Sequence, residues 1–314
     1  MNEVLQRTCE RFLENRSKIE QALRTREHRV TALYAVRFLD QLVLDEELLR
    51  DSKRILKSET GVFSGFRGYA QNACILALSA SREPQTAMET AKEAYDVMKK
   101  SFGRSSQTAL AAMQLQDQIP AWQMEETIRD AKTVYQQIKR ENPMRFFKSD
   151  SASFLYTLVG LESKDVAIER IRAQYAALGA SFSKGEGGRG AALVLSLSDE
   201  PVEQSTKRLR SLYDLLKQNG LHYGRYSEMA ALALLMRSGE RPETLAASVQ
   251  EVFQWLQEHR YKGWDMTKKT RLMHAALITA AAYGVPELDL ELCLQIVINQ
   301  IVKDKEASTA AAAS

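Results

Sequence analysis

An all-α array of about six helical hairpins, of the TPR/HEAT-like solenoid kind, is the fold class this 314-residue sequence predicts. An aromatic residue recurs about every 40 positions, at Tyr95, Tyr135, Tyr175, Tyr213 and Phe253, inside one repeated frame of apolar residues. A short, alanine-rich apolar segment precedes each frame. Nowhere does an alternation of β-branched residues with period two stand out. A single unit of this size cannot bury its own apolar face, so the units must stack. Closure of the stack into an α/α toroid is the alternative arrangement.

Residues 1–56 lack the frame, but Val4, Leu5, Phe12, Leu13, Ile19 and Leu23 are helically spaced, as are Val30, Leu33, Phe38, Leu42 and Leu49. They read as an N-terminal helical cap. The array itself spans 57–303. Its first helices are Ala73 to Leu78, Ala109 to Leu115, Phe154 to Leu161, Ala191 to Leu197, Met229 to Met236 and Leu272 to Ala282. Alanine favours helix and lets such segments pack closely in an interior. The second helices carry the frame. Taking the aromatic as origin, apolar residues stand seven, four and one position before it and three after, as in Met88, Ala91, Ala94, Tyr95 and Met98. This spacing lays one stripe along a helix. Gln174 and Thr206 are polar exceptions within it. A sixth copy, at Leu290, Cys293, Ile296 and Val297, has no aromatic and carries Gln300 where an apolar residue is expected. Turns with proline or acidic residues, such as Arg82-Glu83-Pro84, Asp199-Glu200-Pro201 and Glu240-Arg241-Pro242, open the second helices, where proline is tolerated and negative charge suits the helix dipole. Residues 304–314 are expected to form a flexible tail that frays from Ala307 onward.

With 45% apolar residues the chain can bury a large core without cross-links. A net charge of +3 is too small to imply nucleic acid by itself. Cys9, Cys74 and Cys293 are far apart and outside any CxxC spacing, so they read as small buried apolar groups, with neither a disulfide framework nor a zinc site. His28, His222, His259 and His274 fit no HExxH or di-iron helix pattern. No metal and no cofactor is expected. The first residues are polar and no long apolar run occurs, which points to neither secretion nor membrane insertion and makes the cytoplasm the default location.

Few residues point to chemistry. Lys184-Gly185-Glu186-Gly187-Gly188-Arg189-Gly190 has neither the strand that a dinucleotide fingerprint requires nor a Gly-Lys-Ser/Thr ending, and reads as a flexible connector. The carboxylates of Asp45, Glu46 and Glu47, and of Glu125 and Glu126, suit helix starts. The connectors between hairpins pair an aromatic with a basic residue: Phe66 with Arg67, Phe102 with Arg104, Phe147 with Lys148, Phe182 with Lys184, Tyr223 with Arg225 and Tyr261 with Lys262. Their aromatics would staple the start of the next helix, with Ser106, Asp150 and Ser227 as N-caps. Stacking would align Arg67, Arg104, Lys148, Lys184, Arg189, Arg225 and Lys262 into a basic rim for an acidic partner.

Ser196-Leu197-Ser198-Asp199-Glu200-Pro201, Leu212-Tyr213-Asp214-Leu215-Leu216-Lys217, and Gly263-Trp264 followed by Lys268-Lys269-Thr270-Arg271-Leu272-Met273 resemble an uncharacterised bacterial family of all-helical proteins, a domain of unknown function found mainly in Gram-positive organisms. The resemblance runs from about residue 10 to residue 300. It implies an all-helical cytoplasmic protein and transfers no catalytic residue. The expected function is therefore a non-enzymatic binding or scaffold protein with an acidic protein partner. A toroid enzyme is the alternative, but the alanine-rich helices hold few polar residues, among them Gln107, Gln114 and Glu228. A nucleic-acid binder is third.

Overall fold

A computed structural model describes residues 1–39, 44–142, 151–161, 163–182, 186–259, 261 and 266–313. Among them the regular structure is helical throughout, with two 3-10 turns at 121–123 and 236–238. The helices are α1 (Glu3–Leu23), α2 (His28–Arg37), α3 (Glu46–Glu59), α4 (Gln71–Ser79), α5 (Pro84–Phe102), α6 (Ser106–Leu115), α7 (Met124–Glu141) and α8 (Ser151–Val159), followed by α9 (Lys164–Ser181), α10 (Glu186–Leu195), α11 (Val202–Gln218), α12 (Tyr226–Leu235), α13 (Pro242–Glu258), α14 (Lys268–Ala282) and α15 (Glu287–Ala313).

The repeated frame is the core-facing stripe of α5, α7, α9, α11 and α13. Every apolar member of it at the four flanking positions is buried, as are the polar exceptions Gln174 and Thr206. Gln174 is tolerated there because its amide donates to Ser205 Oγ on α11 at 3.0 Å. Two of the connector aromatics meet repeated ones. Phe66 packs edge-on against Tyr95 with centroids 5.2 Å apart, and Phe182 against Tyr213 at 5.1 Å.

Helix starts follow local chemistry. Asp45 caps α3, accepting from the amides of Glu47 and Leu48 at 2.9 and 3.0 Å. Pro84 and Pro242 stand in the first turns of α5 and α13. Ser105, rather than Ser106, caps α6 through the amide of Thr108. Ser227 lies inside α12, whose start is held by Glu228, its carboxylate accepting from the amides of Gly224 and Arg225 at 3.0 and 3.1 Å. Asp150 is outside the described residues.

Two compact units are formed. One comprises residues 18–25, 43–168 and 298–314. In it α3, α5 and α7 lie side by side in sequence order, as do α4, α6 and α8, giving two layers. The other comprises residues 1–17, 26–42 and 169–297; there α10, α12 and α14 lie side by side, α11 neighbours α13, and α2 packs on α14. The segment read as an N-terminal cap is thus divided between the two units.

The alanine-rich helices present no open face. All ten residues of α6 and all ten of α12 are buried. In α15, every residue from 292 to 302 is buried, which explains why the sixth copy of the frame is irregular. A helix covered on all sides is apolar all round instead of carrying one stripe. Its polar members are engaged: Asn299 donates to the Gln107 carbonyl at 3.1 Å and to the Tyr156 hydroxyl at 3.3 Å. Residues 304–313, expected as a flexible tail, continue α15, and Glu306 accepts from the Ser106 amide at 3.0 Å and the Gln107 side chain at 2.8 Å.

The glycine-rich segment departs from the expected connector, because Gly187, Gly188 and Gly190 belong to α10. The role of Gly187 and Gly190 is close approach to the start of α12 and the turn before it. A Cβ on Gly187 would lie 2.6 Å from the Gly224 carbonyl oxygen, and one on Gly190 would lie 2.2 Å from that of Tyr226.

Candidate functional site

Of the seven basic residues singled out by sequence, Arg67 and Arg189 are engaged within the fold. The Arg67 guanidinium donates to the Thr60 carbonyl at 3.1 Å and finishes the turn after α3. Arg189 is 4% exposed, its guanidinium 5.9 Å from the Tyr226 ring centroid, and so cannot stand on a solvent rim; the α10–α12 contact that the glycines permit encloses it. Arg104 and Arg225 are exposed, each within its own unit. Lys148, Lys184 and Lys262 lie outside the described residues. The polar groups of the alanine-rich helices are also committed, Gln107 to Glu306, Gln114 to the Tyr156 hydroxyl at 2.7 Å, and Glu228 to its own helix start.

A different cationic site forms where α1, α2, the end of α14 and the start of α15 meet, around a cleft of about 300 Å³. On α1, Arg7, Thr8 and Arg11 fall at spacings of three and four and share one face, while Leu5, Cys9 and Phe12 fill the core on another. Asn15, one turn on, fixes α1 against α2 by donating to the Phe38 carbonyl at 3.0 Å, one of the acceptors that a helix end leaves open. That placement brings Val36, Arg37 and Leu39 to the cleft wall. Opposite, α14 ends in a left-handed glycine, Gly284 at φ 66°, with the Val285 amide donating to the Ala280 carbonyl at 3.3 Å. This Schellman turn sets Ala281 and Val285 in the wall and starts α15 so that Glu287, Leu290 and Glu291 face the same space.

The electrostatics of the cleft are uneven. Arg37 donates to Glu291 at 2.9 Å with both side chains about one fifth exposed, and Arg7 pairs with Glu3 at 2.7 Å near solvent. Arg11 differs. Its Nη2 is shielded from solvent and has no hydrogen-bond acceptor among the described residues. A charged donor left in that state carries a penalty of roughly 1–3 kcal/mol that an incoming anion would remove.

The same unit holds a buried polar cluster. The Arg16 guanidinium sits 4.4 Å from the Tyr261 ring centroid and donates to His28 Nδ1 at 3.0 Å, and the Tyr261 hydroxyl shares a 2.8 Å hydrogen bond with His274 Nδ1. Phe12 packs edge-on to Tyr261. Burial, then the charges of Arg16 and Arg29, hold His274 well below the usual histidine range, so it is neutral. The cluster anchors α1 to α14 and thereby one wall of the cleft to the other.

Among the described residues no group of three histidine, cysteine, aspartate or glutamate side chains is placed to hold a metal ion, and no helix is long and apolar enough to cross a membrane. Arg7, Arg11 and Arg37 escaped the sequence reading, since they lie in the segment without repeats. A sequence signal does exist: Arg7 and Arg11 are like charges four apart on one helix, an arrangement that weakens a helix by a few tenths of a kcal/mol.

The model of one protein family, described as "Protein of unknown function (DUF4003)", matches residues 15–307, and the chain belongs to that family. No curated protein and no solved structure matches it.

Proposed function

We propose that this DUF4003 member is a non-enzymatic helical binding protein that recognises the anionic group of its partner in the arginine-lined cleft between α1, α2 and α15. The observation that carries this reading is Arg11, which lines the cleft together with Arg7 and Arg37 and whose shielded Nη2 has no acceptor among the described residues. A pocket with apolar walls and a few convergent polar groups is the usual form of a ligand site. The acidic partner expected from the basic connectors is retained, with the point of recognition moved to this cleft. A cytoplasmic setting fits the three buried cysteines, all unpaired.

Amide chemical shifts of the full chain, followed during titration with acetate and with inorganic phosphate, test the reading. Saturable shifts at Thr8, Arg37 and Leu290 that disappear in Arg11→Gln support it. Shifts that are absent, or that persist in the variant, refute it.

A further inference from the structure

We infer that the ligand of this cleft is an aliphatic monocarboxylate, held by its carboxylate at Arg11 and by its chain against the apolar wall. The inference rests on the anion-binding reading above and names the class of anion.

Charge count argues for a monoanion. Three arginines line the cleft, but Arg37 is paired with Glu291 and Arg7 with Glu3, which leaves Arg11 as the lining cation without an ion-pair partner among the described residues. Glu287 stands exposed at the rim and adds negative charge there. One available cation beside the carboxylate of Glu287 suits a single negative charge. A dianion such as phosphate would bring its second charge near Glu287, with no second unpaired cation among the described lining residues to offset it. The planar guanidinium offers the paired N–H geometry that a carboxylate accepts.

Shape and polarity argue for an aliphatic chain. Val36, Leu39, Ala281, Val285 and Leu290 supply the remainder of the lining, drawn from three separate helical segments. Thr8 offers little further polarity, because its hydroxyl already donates to the Val4 carbonyl at 2.8 Å. A volume of about 300 Å³ admits a short chain, and each methylene placed against that wall leaves water.

Calorimetric titration of the full chain with acetate, butanoate, hexanoate, octanoate, 1-octanol and inorganic phosphate tests the proposal. Affinity is expected to rise by up to about fourfold per methylene from acetate to octanoate, the value of one buried methylene. Octanol should bind at least tenfold more weakly than octanoate, and Arg11→Gln should abolish the difference between them. Leu290→Ser should flatten the chain-length dependence while acetate binding persists, and it provides an independent reading if Arg11→Gln does not fold. Acetate or phosphate binding as tightly as octanoate would overturn the aliphatic carboxylate while leaving the anion site standing. Silence from every anion would remove both proposals.

Discussion

Gly190 of α10 lies so close to Tyr226 of α12 that a Cβ added to it would stand 2.2 Å from the Tyr226 carbonyl oxygen and 3.2 Å from the tyrosine Cγ. The obstacle is backbone, which cannot swing aside as a side chain can. Gly190→Ala is therefore expected to lower stability by about 2–3 kcal/mol through overpacking. Gly188, two residues away on the same helix, has nothing within 4 Å of the added Cβ, and Gly188→Ala should be neutral or stabilising by up to about 1 kcal/mol. Urea unfolding of the two variants checks this. Equal effects would mean that the glycines do not serve helix contact.

His274 makes stability sensitive to acid. Its proton affinity is lowered in the folded chain, first by burial and then by Arg16 and Arg29. Above about pH 6.5 folded and unfolded chains both carry a neutral imidazole and the group contributes no pH dependence. Below that value the unfolded chain takes up a proton that the folded one refuses, so stability falls as pH drops, by up to about 1.4 kcal/mol per pH unit. Melting curves of the wild type and His274→Gln between pH 7 and pH 5 should diverge in slope on the order of one proton. Parallel slopes would show that His274 is not held neutral.

The three thiols should be inert in the folded protein. Burial raises Cys74 and Cys293 strongly, and burial with the charge of Glu10 pushes Cys9 up to about 12. Reaction with a thiol reagent at pH 8 is expected to reach none of them before unfolding and all three after it. Rapid labelling of the native chain would contradict their enclosure.

The second half of α15 should matter to α6. Glu306→Ala removes two acceptors at the start of α6 and is expected to cost about 1 kcal/mol. Asn299→Leu leaves the buried Gln107 carbonyl without its side-chain donor and should cost about 1–3 kcal/mol. Thermal midpoints of both variants measure these effects, and a Glu306→Ala midpoint equal to that of the wild type would deny the carboxylate any capping role.

How much could be read in advance differs by element. The stripes of α5, α7, α9, α11 and α13 were legible, down to the buried positions of Gln174 and Thr206, because a one-sided helix writes its buried face into its own three-and-four spacing. The acidic start of α3 was legible for the same local reason. The cap of α6 was misplaced by one residue, since adjacent serines offer the same hydroxyl and only backbone conformation decides between Ser105 and Ser106. The α10 glycines were misread because a glycine run is equally compatible with a loose loop and with tight helix contact, and the deciding atom belongs to Tyr226.

The sequence by itself determined the helical class, the family and the set of repeated core faces, all of which follow from short-range periodicity or from motif identity. Tertiary structure alone decided the site. Arg37 and Glu291 are separated by 254 positions, and the groups that share the cleft with Arg11 come from α2, α14 and α15. Periodicity records which face of a helix is buried. What that face meets, and whether a charge there finds a partner, depends on segments far away along the chain.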